Sequence, residues 1–396
     1  MDDTAEHQRG SAGEVFLAFL KLGLTSFGGP IAHLGYFRDE IVLRRKWLGE
    51  SAYADLVALC QFLPGPASSQ VGFALGLWRA GPLGALAAWA GFTLPSAILL
   101  VLFAYGAGAL DGPIAGGVLH GLKLVAVAVV AQAVWGMAKS LTPDRQRAGI
   151  ALAAVALTVF LAGSIGQVAA IVAGGLAGLV LCRSAAATVE QQLRFGVSPM
   201  LGMACLVAFV ILLLGLPLLV GLGQGVALFD AFYRAGALVF GGGHVVLPLL
   251  DAETVASGWV SKDAFLAGYG ATQAVPGPLF TFAAYLGAAS HGLGGAAIAL
   301  VAIFLPGLLL LVGALPFWDA LRSRPQAQAA MRGANAAVVG ILGAALYDPV
   351  WTSAVLTPLD FLLALAGFLA LVIWKLPPWS VVVALAVAGG VIGALA

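Results

Sequence analysis

Charge is nearly absent from long stretches of this chain, and that limits the fold more than any other feature. Apolar runs near 82–107, 115–138, 147–163, 165–182, 198–221, 295–316, 328–346, 358–374 and 378–395 approach the ~20 residues that a helix needs to cross a bilayer core. Inside hydrocarbon every backbone N–H and C=O must be satisfied by a helix or a closed barrel, and runs this long specify helices rather than barrel strands. A mean hydropathy of +1.01 with only 9% charged residues lies far from soluble domains. The expected fold class is an all-α integral membrane protein.

Residues 1–14, MDDTAEHQRGSAGE, are polar and acidic and lack the basic n-region of a cleaved signal peptide, so the N-terminus is expected in the cytoplasm. Cys60, Cys182 and Cys205 stand far apart in apolar surroundings without a CxxC or Cys/His cluster, which argues against a disulfide framework or a metal site. Net charge is +1 and the densest basic run is RRKW at 44–47, so nucleic acid is not an expected partner. No cofactor is expected.

Two short segments break the apolar pattern in the same way. QFLPGP at Gln61 to Pro66 recurs as QAVPGP at Gln273 to Pro278, and LKLGLTSFGGP (Leu20 to Pro30) recurs as YRAGALVFGGG (Tyr233 to Gly243). Trp47 matches Trp259, GFTLPS (91–96) matches AIFLPG (302–307), and GLKLVAVAVV (121–130) matches GANAAVVGIL (333–342). This internal repeat predicts two similar halves, 1–185 and 225–396, joined by a connecting span at 198–221.

Short cytoplasmic loops are enriched in Lys and Arg. After the first FGG the chain reads RDEIVLRRKW, whereas its counterpart DAETVASGW carries two acids and no base. The halves should therefore be inverted in the membrane. If each FGG and PGP segment dips in and returns, Arg9, Arg38, Arg44, Arg45, Lys46, Arg79, Lys139, Arg145, Arg147, Arg183, Arg194, Arg322, Arg324, Arg332 and Lys375 are cytoplasmic. Lys262 then lies outside with Asp111, Asp251, Glu253, Asp263 and Asp348. The expectation is about nine full crossings plus four re-entrant hairpins. Proline and glycine supply the breaks, and irregular backbone at membrane depth survives only where protein buries it or it lines a wet cavity. Matched broken segments in two inverted halves mark the midplane site of a secondary transporter.

Lys21, Lys123 and Arg234 lie inside predicted hydrophobic segments, and a charge at bilayer centre costs roughly 2.5–3.5 kcal/mol even on the lenient insertion scale. Lys21 and Arg234 occupy the same position ahead of Phe27 and Phe240. Each needs a partner, a cavity or, for Lys21, a snorkelling route to the near face; Lys123 and its counterpart Asn335 also read as polar glue between helices. Helices restarting at Pro30, Pro66 and Pro278 would aim free N–H groups and a positive dipole end at an anion. The candidate site is therefore Lys21, Lys123 and Arg234 with Thr25, Ser26, Gly28, Gly29, Gln61, Gly65, Ser68 and Ser69, and with Gly241, Gly242, Gln273, Gly277 and Thr281 from the second half. Capping or bonding to the preceding turn is the alternative for the hydroxyls. Asp55 is the candidate proton carrier, or else an interfacial residue facing water.

At these residues the chain resembles the chromate ion transporter family in its long-chain, two-domain form. The motifs KLGLTSFGGPIAHLGYFRDEIVLRRKWL, ALCQFLPGPASSQVGFALG, AGALVFGGGHVVLPLL, ATQAVPGP and NAAVVGILGAALYDPVW carry the resemblance, which covers most of the chain. It implies chromate efflux across the bacterial inner membrane and hence chromate resistance, with sulfate, a tetrahedral dianion of similar size, as competitor. Gly243 stands where the first copy has Pro30, so the two breaks need not contribute equally. A transporter of sulfate or another oxyanion is the second reading. A membrane-embedded enzyme is a third, disfavoured because HExxH, GxSxG and carboxylate clusters are missing and His7, His33, His120, His244 and His291 are scattered. Inverted transporters often pair, which makes a homodimer one open assembly, but no GxxxG pattern stands out among 53 glycines to specify it.

Overall fold

The computed structural model describes residues 10–109, 112–161, 164–182, 195–240, 243–318 and 324–395. Gly241 and Gly242 of the candidate site, and Arg9, Asp111, Arg183, Arg194 and Arg322 among the loop charges, lie outside the described residues. All regular elements described are helical.

The chain begins with α1 (Ala12–Thr25), capped by the Ser11 hydroxyl, which accepts from the Glu14 N–H. The helix ends where Gly28 and Gly29 take φ values of 96° and 77°, a region open to glycine but strained for other residues. It restarts as α2 (Gly29–Phe37), with Pro30 in the first turn, and runs into a wide turn at Arg38–Arg44. Next comes α3 (Glu50–Phe62), then the PGP break with Gly65 at φ 118°, then α4 (Ala67–Ala109). Helix α4 bends sharply at Ala80–Gly81. The long α5 (Pro113–Leu141), α6 (Arg145–Phe160) and α7 (Ser164–Leu181) follow, then α8 (Pro199–Leu219).

The order then recurs in a shorter form. Helix α9 (Gln224–Ala237) leads to the short α10 (Val246–Leu250), a wide turn at Asp251–Val255, α11 (Lys262–Thr272), the second PGP break and α12 (Phe282–Ala314). Helix α12 bends at His291–Gly292 with φ/ψ of −136°/22° and 65°/−160°, against −140°/24° and 66°/−159° at Ala80–Gly81. The last helices are α13 (Pro325–Ala345), α14 (Pro358–Val372) and α15 (Pro378–Leu395).

Pro66 and Pro278 differ from expectation: neither opens a helix. The Pro66 carbonyl accepts from the Gln70 N–H just ahead of α4, and Pro278 precedes a tight turn at Leu279–Thr281. Their place fits a capping residue, whose carbonyl starts the ladder.

Among the described residues six helical stretches are long and apolar enough to cross a membrane: 67–106, 113–141, 199–222, 279–317, 325–354 and 378–395. The other three expected runs form the shorter α6, α7 and α14. The core is built from two buried clusters, one centred on α5, α9, α11, α12 and α13 and one on α1, α3 and the first turns of α4. Helix α8 is largely uncovered by the rest of the chain, as expected of an apolar helix facing lipid rather than protein.

Candidate functional site

Described residues at or beside the four breaks meet. Each PGP turn reaches to the FGG segment of the other half: the Gly65 N–H donates to the Val239 carbonyl at 2.7 Å, and the Gly277 N–H donates to the Ser26 carbonyl at 2.9 Å. Val239 and Ser26 each immediately precede their FGG phenylalanine, so the two bonds are counterparts. A Cβ on Gly65 would stand 3.0 Å from the Gly307 Cα, and one on Gly277 would stand 3.0 Å from the Ser96 Oγ; Gly307 and Ser96 are again matched positions. The two FGG segments also abut, with Pro30 against Gly243 and the His244 Nε2 beside Gly29.

Polar side chains converge on this crossing without using up their hydrogen-bonding capacity. Ser26 (0% exposed) and Ser69 (2%) are buried, yet their hydroxyls have no partner among the described residues, and neither do His33 Nε2, Gln70 Oε1 and Gln273 Nε2. A buried polar atom left unpaired costs about 1–3 kcal/mol. Each such atom calls for a physical account. Ser68 sits 3.3 Å from His33 Nδ1, and His244 Nδ1 sits 2.7 Å from the Tyr269 hydroxyl. Neither histidine stood out in the sequence. The available signal was position, since both fall in the first turns after an FGG break.

Other candidates are spoken for or distant. The Thr25 hydroxyl donates to the Lys21 carbonyl and the Thr281 hydroxyl to the Pro278 carbonyl, the local bonding named as their alternative. Gln61 is exposed. Asp55 accepts from the Trp318 indole at 3.3 Å, on α3 well before the break. Lys123 pairs with Asp263 at 2.9 Å; Asp263 begins α11, about 15 Å along the axis from the PGP turn at the rise of a helix. The Lys123 ammonium turns toward Asp263, although the neighbouring Leu122 backbone packs against Gly270 near the second break.

Lys21 and Arg234 each have a carboxylate partner that sequence reading assigned to loops. Lys21 bonds Glu40 at 2.6 Å, and Arg234 bonds Glu253 at 3.1 Å and Asp230 at 2.7 Å. Glu40 and Glu253 are matched residues in the wide turns that follow α2 and α10. The surroundings differ in charge. Glu40, only 6% exposed, also receives Arg44 and Arg45, so three cations share one carboxylate, whereas the one guanidinium of Arg234 serves two. Burial would push the Glu40 carboxyl up, but hydrogen bonds from Lys21, Arg45 and Arg44 outweigh it and hold it down at about 2. A folded-state pKa below the ordinary 4.5 means that this cluster stabilises the fold above that value and loses its contribution as pH falls from about 4.5 toward 2. Melting of the purified protein should therefore drop through that window, and Glu40→Gln should make the drop shallower. Parallel wild-type and mutant curves would contradict the cluster's role.

The model of the family described as chromate transporter matches residues 13–179 and again 226–393. The chain belongs to the chromate transporter family. Among curated relatives, the chromate transport protein of Pseudomonas aeruginosa is 28% identical over 377 residues, covering 91% of this chain and 87% of the relative. The chromate transport protein of Cupriavidus metallidurans is 26% identical over 84% of this chain and 81% of its own length. An uncharacterised transporter of Methanocaldococcus jannaschii is 24% identical over 81% of this chain and 80% of its length. No solved structure matches. Membership identifies a multi-pass membrane transporter that handles an oxyanion rather than an enzyme, and each of the family's two matched segments contains one FGG and one PGP break.

Proposed function

We propose that this chromate transporter exports chromate from the cytoplasm by alternating access, and so confers chromate resistance. The observation that carries the reading is the reciprocal crossing, Gly65 to Val239 and Gly277 to Ser26, ringed by unpaired buried polar atoms. In this arrangement the halves are inverted, the FGG and PGP segments are re-entrant hairpins, and the N-terminus lies on the cytoplasmic face of the inner membrane. The oxyanion is held by the Ser26, Ser68 and Ser69 hydroxyls, the Gln273 amide and backbone N–H groups at the glycine breaks, including Gly28, Gly29, Gly241 and Gly242. Lys21 and Arg234 set the potential on either side. The cation-rich Glu40 cluster faces the cytoplasm and draws anions in, while the acid-rich Arg234 cluster faces outward and favours release.

Direction follows from energetics. Expelling a dianion from a negative interior gains about 4.6 kcal/mol per 100 mV, so a uniport suffices and proton exchange would be an addition. Transport of sulfate or another tetrahedral oxyanion is the second reading, since hydroxyls and N–H groups do not read the central atom.

The test is anion flux by purified protein in liposomes under an imposed potential, with sulfate as competitor and with Ser26→Ala and Gln273→Leu as site variants. Chromate flux with KM raised at least about fivefold in each variant, roughly 1 kcal/mol per lost hydrogen bond, is expected. Sulfate flux without chromate would move the assignment to the second reading. No anion flux would end both.

A further inference from the structure

A cavity of about 500 Å³ lies in the second half, away from the crossing, between the start of α9, the turn before α11 and the bend of α12. It is lined by Gln224, Ala227, Gly258, Trp259, Ser290 and His291. The same corner of the first half is filled by the chain itself. There the Arg79 guanidinium stacks over the Trp47 ring at 5.2 Å and bonds both Glu14 oxygens at 3.2 Å, while the Trp47 indole N–H donates to Glu14 at 3.2 Å. A second guanidinium, that of Arg45, lies 5.6 Å from the same ring.

Position by position, the second half keeps the aromatic platform and deletes what covers it. Trp259 stands for Trp47, Ala227 for Glu14 and Ser290 for Arg79; Ala256, Ser257 and Gly258 replace the basic run Arg44, Arg45 and Lys46. The backbone at the corner is unchanged in kind: Lys46 and Gly258 both have positive φ, 52° and 75°, and the bends at Ala80–Gly81 and His291–Gly292 agree closely. Two guanidinium groups are thus removed from the indole, and among the described residues no lysine, arginine or carboxylate lines the cavity. His291 stands edge-on to Trp259 at 5.5 Å.

We infer that this cavity is a binding site for a small guanidinium-type organic cation, stacked on Trp259 as Arg79 is stacked on Trp47. The class follows from the chemistry of the platform. A planar, weakly hydrated cation gains from an indole face, and the Ser290 hydroxyl and the Gln224 amide oxygen can accept its N–H groups. An oxyanion does not share this preference for an indole face, and the inference does not depend on the direction of transport or its substrate.

The probe is agmatine, titrated calorimetrically into the full chain in lipid nanodiscs. Saturable binding in the millimolar range or tighter is expected, with a loss of at least about tenfold in Trp259→Leu, the size of a desolvated cation–π contact. Ala227→Glu combined with Ser290→Arg rebuilds the first-half plug, and this variant should melt no lower than wild type while binding no agmatine. That variant keeps the test decisive should Trp259→Leu fail to fold. Absence of saturable heat with wild type, or equal affinity in the plugged variant, would overturn the inference.

Discussion

Gly65→Ala and Gly277→Ala are each expected to lower oxyanion flux by at least about tenfold, with a loss of stability of roughly 1–3 kcal/mol from forcing an L-residue into such a conformation. Both residues have φ near or above 100°, at 118° and 99°. Each also donates the N–H that ties its turn to the other half. The added Cβ would sit 3.0 Å from the Gly307 Cα at residue 65. At residue 277 it would meet the Ser96 hydroxyl at 3.0 Å and the Phe92 carbonyl at 3.1 Å. Backbone and helix cannot retreat as the end of a flexible side chain can, so strain and contact add. Gly136→Ala is the control, because a Cβ there meets nothing within 4 Å and the residue is helical; it should be neutral or slightly stabilising. Flux per folded molecule and melting temperature, measured together, separate the effects. Wild-type flux in both variants would show that the crossing of each PGP turn with the opposite FGG segment is not on the transport path.

Arg234→Ala should be the most damaging single charge change. It strips Asp230 (side chain 5% exposed) and Glu253 (13%) of the cation they share, and because the Arg234 side chain is 32% exposed solvent screening keeps the cost below the about 3–5 kcal/mol of a fully buried pair. Loss of transport in this variant alone would not distinguish a substrate contact from a structural one. The decisive variant adds Asp230→Asn and Glu253→Gln, which removes the uncompensated charge and should restore melting to near wild type. If Arg234 also sets the potential felt by the substrate, flux stays low in the triple variant although the protein folds. Full recovery of flux would make Arg234 a purely structural cation. In the first half the equivalent deletion is milder, because Lys21→Ala still leaves Arg44 and Arg45 on Glu40.

Much of the fold could be read from local chemistry. A run without charge long enough to cross a bilayer has few alternatives to helix, and a glycine pair followed by proline breaks a helix wherever it stands. The breaks at Gly28–Gly29 and at Gly65 therefore fall where residue types placed them. The partners of Lys21 and Arg234 were not legible in the same way. Glu40 and Glu253 lie in charged segments that read as solvated loops, and only the return of α2 and α10 past α1 and α9 turns them inward. Lys123 illustrates the converse: an intramembrane lysine by sequence, it is neutralised by Asp263, at the end of α11 remote from the breaks.

Sequence alone thus determined the helical membrane class and the breaks at Gly28–Gly29, Gly65 and Gly277, because those depend on hydrogen-bond satisfaction and backbone freedom within a few residues. Tertiary structure decided which break meets which, that each PGP turn bonds across to the opposite half, and that a corner closed by Arg79, Glu14 and Trp47 in one half is open in the other. Those are contacts between residues far apart in the chain, and their energies depend on distance and burial that no local pattern encodes.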